Sequence, residues 1–203
     1  MARSTLSMFR PQDAARVYAH PRPELSRLVD QGVLHRVVHG YYIVVPQDQV
    51  GRPWRPGLEA VAAGIASTIY RADRVVLIGI SAARLLGATS RAPANAVVAV
   101  PRAHRPIELN GRPASVRFVQ RDPDALDAER VETSLGRVLV TTAEQTVLDL
   151  ARRPLLGNSE AEIPAAIAVL YRRSDPDRLA DMAKSQRPVA ALRRADIWAG
   201  AQS

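Results

Sequence analysis

The stretch Leu25–Val45, LSRLVDQGVLHRVVHGYYIVV, decides how this chain reads. Leu25, Leu28 and Val29 recur at i, i+3 and i+4, one face of a helix. The helix is expected to begin at Pro23 and to stop at Gly32. Val33–Val38 and Tyr41–Val45 then read as two strands, joined by a compact His39-Gly40 turn in which Gly accepts a positive φ. A short amphipathic helix followed directly by a hairpin is the second half of a winged helix-turn-helix. That unit lays its helix in the DNA major groove and its hairpin along the backbone. Ser26, Arg27 and Asp30 lie opposite the apolar stripe, with Arg22 at the helix entry. His35, Arg36 and His39 fall on the hairpin. Arg22, Ser26, Arg27, His35, Arg36 and His39 are therefore the candidate DNA-binding residues. The competing use of such a unit is plain protein contact. Asp30 on the reading face and the poor N-cap character of Arg22 count against DNA.

Upstream, Phe9 and Pro11 open a helix expected over about Pro11–Tyr18, with Ala14, Ala15, Val17 and Tyr18 inward. Downstream, Pro46–Gly57 holds three prolines and two glycines without periodicity, the composition of a linker across which few contacts should run. Beyond it the expected elements alternate. Leu58–Arg71 is Ala-rich and helical, Arg74–Ile78 is a buried strand, and Ser81–Leu86 is a short helix ended by Gly87. Ala96–Val100 is a strand. Ile107–Leu109 and Ala114–Val119 flank Asn110-Gly111, a hairpin signal. Val131-Glu132 and Arg137–Val140 are short strands, and Thr142–Arg152 is an amphipathic helix. From Asn158 the chain reads as two or three helices. The fold class is α+β: a winged helix-turn-helix over residues 1–50, a linker over 51–57, and a mixed α+β domain with a helical C-terminal tail over 58–203.

The 203 residues carry 28 basic side chains against 20 acidic, a formal charge of +8. A basic surface favours anionic partners, nucleic acid above all. Met1–Arg55 holds eight Arg against four acids and the remainder twenty basic residues against sixteen acids, so each part is +4. The shorter head has the denser charge, as DNA binding requires. Lys184 is the only lysine. Arg binds phosphate and guanine bidentately, although a GC-rich coding genome produces the same bias. With no cysteine, disulfides, thiolate metal sites and a Cys nucleophile are excluded. MARSTLSMFRP lacks the apolar core of a signal segment, and no run reaches the roughly 18 apolar residues of a membrane span. A cytoplasmic protein without a membrane partner is expected.

The remaining motifs point to no standard active site. His35 and His39 share strand parity, but four residues along a strand set them about 13 Å apart, so no metal site is expected. Gly79-Ile80-Ser81-Ala82-Ala83 imitates a nucleophile elbow with Ala in the last place. Ser81 serves equally as N-cap of a helix starting at Ala82, and His104 is the only later histidine. Thr141 or Thr142 can cap the helix that follows, with Glu144 in its first turn. Glu144, Asp149, Arg152 and Arg153 are candidates for an exposed functional surface, or else a solvated helix face. Phosphate-cradling loops and kinase motifs are absent.

Three segments in order resemble the AbiEi-type antitoxins. Leu25-Ser26-Arg27-Leu28-Val29, Gly32, Leu34, Arg36, Gly40 and Tyr42 resemble the family's N-terminal winged helix, with Tyr41 in place of a small apolar residue. Ile80–Gly87, ISAARLLG, is similar to its S-A-L-x-L-L-G helix. Thr141–Ala151, TTAEQTVLDLA, is similar to its T-T-x-E-R-T-L-L-D-L-A helix, with Gln145 for Arg. The resemblance spans about Phe9–Pro154, and the Arg-rich composition suggests an actinobacterial member. It implies a two-gene toxin–antitoxin system: a nucleotidyltransferase-like toxin as partner, double-stranded operator DNA bound by the head, and a monomer or weak dimer on that DNA. No cofactor is expected. Some family members are thought to act as atypical kinases on the toxin. That alternative would need ATP and Mg²⁺, with Glu144, Asp149, Arg152 and Arg153 the nearest phosphoryl-transfer candidates. A stand-alone winged-helix repressor is the further alternative.

Overall fold

The computed structural model describes residues 6–89, 91, 94–186 and 189–201. The chain is α+β, with two sheets that share one helix. The N-terminal part runs β1 (Met8–Phe9), α1 (Pro11–Ala14), α2 (Pro21–Asp30), β2 (Leu34–Val38) and β3 (Tyr41–Val44). Its three strands are antiparallel in the order β1-β3-β2, with Met8 opposite Ile43 and Phe9 opposite Tyr42. The β2–β3 turn holds Gly40 at φ +81, as the hairpin reading requires. Strand β1 lies outside the sequence expectation, because two residues carry too little pattern to announce a strand.

Two helices differ from expectation at their ends. Helix α1 is a single turn: beyond Ala14 the chain continues in turns, and Ala15 and Val17 are exposed. Helix α2 starts two residues before Pro23, with Pro21 and Pro23 both in its first turn, where a missing N–H costs nothing. His20, not Arg22, is its N-cap. The stripe of Leu25, Leu28 and Val29 packs on Ala14, Leu34 and Tyr18 in a small cluster with the stacked pair Phe9–Tyr42.

The body follows as α3 (Leu58–Tyr70), β4 (Val76–Leu77), α4 (Gly79–Leu85), β5 (Asn95–Val100), β6 (Ile107–Glu108), β7 (Ser115–Gln120), β8 (Ala128–Thr133), β9 (Gly136–Thr141), α5 (Ala143–Arg152), α6 (Ile163–Tyr171), α7 (Pro176–Gln186) and α8 (Val189–Gly200). The six strands order as β6-β7-β5-β4-β9-β8, with β4 parallel to β9 and β5 parallel to β7. The period-2 alternation of side chains divides the sheet between two cores. Leu77, Ala96, Val98 and Val100 face α3. Val76, Ile78, Val97 and Ala99 face α5, α6 and α8.

Helix α3 is buried at every position from Leu58 to Ala66. One side meets the six-stranded sheet and the other meets Leu6, Met8, Val37 and Ile43 of the small sheet. The expectation of few contacts across residues 46–57 is therefore not met: one core runs through both parts. The segment itself is anchored as well. Trp54 sits edge-on to His35 at 6.2 Å between ring centres, and Arg55 donates to the Gly111 carbonyl at 3.3 Å. Apolar burial, not linker composition, governs how the parts meet.

Two polar assignments at helix starts are also settled. Ser81 is inside α4 and does not cap it; its hydroxyl accepts the Val97 amide at 2.9 Å, pinning α4 to β5. Thr142 caps α5, accepting the Gln145 amide, while Thr141 bonds Thr146 at 2.8 Å.

Met8, 1% exposed, is the residue that joins β1 to α3. Met8→Ala is expected to cost about 2–5 kcal/mol, measured by urea denaturation; a loss near zero would mean that β1 does not hold the small sheet on α3.

Candidate functional site

Two regions collect the candidate functional side chains. In the first, α2 and the β2–β3 hairpin present exposed Arg22, Ser26, Arg27, Arg36 and His39. Arg27 donates to Glu24 at 2.9 and 3.1 Å and to Gln31 at 3.1 Å. These bonds are solvent-exposed and worth little, so a phosphate or base edge can replace them. His35 is placed differently from its neighbours. It is half-buried against Trp54, at the junction with the β6–β7 hairpin. Burial, then the guanidiniums of Arg112 and Arg55, push its imidazole below the usual histidine range. It therefore stays neutral at physiological pH and supplies no charge to a phosphate.

The structure adds arginines that sequence reasoning passed over. Arg52 borders the same groove as Arg36 and His35. Arg55 donates to the Gly111 carbonyl and Arg112 to the Pro56 carbonyl, both at 3.3 Å. Arg10 lies 5.3 Å from the centre of the Tyr41 ring. Arg52 and Arg55 sit in the segment read as a linker, and Arg112 lies 60 residues beyond Arg52, so no local pattern connects them.

The second region is a cavity of about 140 Å³ beside the C-terminal half of α5. Asp149, Arg152 and Arg153 line it, together with Arg121, which follows β7. The sequence candidates Asp149, Arg152 and Arg153 are thus brought together. Glu144 is not: its buried carboxylate accepts the Asp175 amide at 3.0 Å, just ahead of α7, with Arg178 4.0 Å away. One turn and more of α5 turns the two acids toward different neighbours.

Arg121 donates to Asp149 Oδ1 at 2.6 Å, and Gln145 donates to the same oxygen at 3.2 Å. Asp149 Oδ2 is buried and has no hydrogen-bond partner among the described residues. Burial pushes the Asp149 carboxyl above the usual aspartate range, against the opposing pull of Arg121, Gln145 and Arg152. Gln145 also bonds Gln186 at 2.6 and 3.2 Å, tying the α5 site to α7. A further buried acid, Glu59, lies 3.2 Å from Arg84, and burial raises its carboxyl too. Among the described residues, no three metal-capable side chains lie together.

A carboxyl raised by burial favours its protonated form in the fold. Its contribution to stability is fully present below the unfolded value and is lost as pH rises through the folded one. Wild type should therefore lose stability relative to Asp149→Asn as pH rises from about 4 toward neutrality. Urea denaturation of both proteins across that range checks this; the opposite slope would mean that Arg121 outweighs burial.

Three comparisons bear on this architecture. The family model described as the AbiEi antitoxin C-terminal domain matches residues 75–197, more than half of the chain. The crystal structure of the RV2827C protein from Mycobacterium tuberculosis is similar in fold, with a TM-score of 0.60 at 19% identity, covering 95% of this chain and 71% of that one. No curated protein matches.

Proposed function

The chain belongs to the AbiEi antitoxin family, which implies a toxin partner, and from that premise we propose that it neutralises a nucleotidyltransferase-like toxin and represses its own operon by binding DNA. The observation that carries the antitoxin part is the family domain itself, which runs from Val75 to Ile197 and takes in the six-stranded sheet and α4–α8. The DNA part is supported by what precedes that domain. Helices α1 and α2 and the hairpin follow in winged-helix order, and the exposed outer side of α2 and β2 carries Arg22, Arg27 and Arg36. Both activities belong in the cytoplasm. In support, no helix among the described residues is long and apolar enough to cross a membrane.

In this reading α2 enters the major groove, and Arg27 exchanges Glu24 for a base edge. Arg36 and His39 on the hairpin, joined by Arg52, meet phosphates. Toxin neutralisation falls to the body. Arg152, Arg153 and Leu155 are exposed on one side of it, and Leu155 keeps 69% of its surface in solvent. An exposed leucine two residues after a pair of arginines suits a protein contact with an acidic rim.

A gel shift with the native upstream region tests the first activity. Arg27→Ala should cost about 1–3 kcal/mol and relax base preference, and Arg36→Ala should weaken all sequences alike. Equal affinity for upstream and random DNA would sink the operator claim. For the second activity, purified protein and toxin are incubated with ATP and Mg²⁺. A stable co-purifying complex with unchanged toxin mass is the expected result. A gain of one phosphate on the toxin would instead establish the phosphorylating mechanism, and neither complex nor mass change would point to a stand-alone repressor or to antagonism at the toxin's target.

A further inference from the structure

The six-stranded sheet ends on two unlike edges. On one side lies β6, two residues long, a length that blunts an edge. On the other lies β8, six residues long and paired on one side alone, with β9. The β8–β9 turn contains only Ser134 and Leu135, so Thr133 and Gly136 exchange both of their backbone hydrogen bonds. Antiparallel pairing alternates from there, and Val131 and Glu129 also turn their N–H and C=O groups toward β9. The Asp127 carbonyl keeps the same parity, accepting the Thr142 amide at 3.0 Å. Ala128, Arg130 and Glu132 therefore direct their backbone groups away from the sheet. Among the described residues nothing bonds to those groups.

Charged side chains often protect such an edge by repelling a second strand. On β8 they repel selectively. Antiparallel pairing with a second copy sets outward residues opposite outward residues, so the two-fold axis must pass through a residue and not between two. An axis at Glu129, Arg130 or Glu132 places like charges directly opposite each other, which is destabilising. An axis at Ala128 opposes Asp127 to Glu129, and one at Thr133 runs off the end of the strand. An axis at Val131 has none of these defects. It sets Val131 against its own copy and, twice over, Arg130 of one chain against Glu132 of the other. Those are outward residues, so each such pair exchanges two backbone hydrogen bonds as well as joining opposite charges. Arg130 and Glu132 are exposed, and Arg130 enters no ion pair among the described residues. Glu132 already meets Arg137 of β9, directly opposite it. In the paired sheet it lies between two guanidiniums.

We propose that the protein forms a two-fold dimer by antiparallel β8–β8 pairing centred on Val131, which joins the two six-stranded sheets into one. Such a dimer carries two heads, the number that a site of two half-sites uses, but it stands whether or not the head binds DNA. One pair of short strands is smaller than a standard interface of about 1,600 Å², so association in the micromolar range is expected.

Sedimentation velocity of the full chain, from micromolar to millimolar concentration, reads the assembly. Wild type should pass from monomer to dimer. Over the same range the Arg130 and Glu132 amide hydrogens should exchange more slowly, since pairing covers them. Arg130→Glu and Glu132→Arg should each weaken the dimer at least about tenfold, because each sets like charges opposite at both pairs. Mixed together, the two variants should associate as wild type does, because every acid then meets an arginine of the other chain. Recovery in the mixture also shows that both variants are folded. Wild type that stays monomeric at millimolar concentration would overturn the proposal. So would a dimer in which the Arg130 and Glu132 amides exchange unchanged, a dimer indifferent to both charge reversals, or folded variants that fail to associate when mixed. Monomeric wild type whose toxin binding is lost on Arg130→Glu would assign the edge to a strand of the toxin instead.

Discussion

Helix α3 is buried on two opposite sides, and the arrangement of the whole chain follows from that. A helix between two sheets must be slim, and α3 is built accordingly from Ala60, Ala62, Ala63, Gly64 and Ala66. At Gly64 even a methyl group would meet Met8: a Cβ there would lie 2.8 Å from the Met8 terminal carbon. The glycine accepts the helix-propensity penalty, about 1 kcal/mol, in exchange for that close approach. The small sheet is thereby held directly on α3, and through it on the strands of the large sheet. Residues 46–57 are then a strap over a packed joint. The Asn110–Val37 hydrogen bond and the Trp54–His35 contact follow from that closeness.

On the far side of the large sheet a second layer of helices is organised by polar groups that are buried but satisfied. Ser81 holds α4 to β5, Thr141 and Thr146 bond each other at the start of α5, and Gln145 links Asp149 to Gln186. Such groups fix direction and register at little net gain in stability, because each bond replaces one to water. Asp149 is the exception, since one of its oxygens has no partner among the described residues. A fold that satisfies its other α5 polar groups so fully leaves this oxygen conspicuous.

Much of this architecture was readable in the sequence. Leu25, Leu28 and Val29 announced α2 through their helical spacing, and His39-Gly40 announced the hairpin turn. Asn110-Gly111 marked the β6–β7 connection. The strands β4 and β5 were readable as continuous apolar runs because both of their faces are covered. Helix ends were less so. Pro21 and Pro23 both fit a first turn, and the chain used the earlier one because a second proline two residues on costs no hydrogen bond there. Strand β1 fell below the length at which a pattern differs from chance, and the helix expected over Pro11–Tyr18 stops at Ala14.

Local chemistry along the chain determined the elements, their order, the density of positive charge at the N-terminal end and the residues of α2 that face solvent. These are properties of spacing and of single side chains, which act within a few residues of each other. Tertiary structure decided the rest. It joined Arg121 to Asp149 across 28 residues and turned Glu144 away toward α7. It moved His35 from the exposed hairpin into a joint with Trp54 and Arg112. It converted a proline-rich segment into a strap. Each of these depends on which surfaces meet, and that is set by the burial of apolar area over the whole chain, a quantity that no local window of sequence contains.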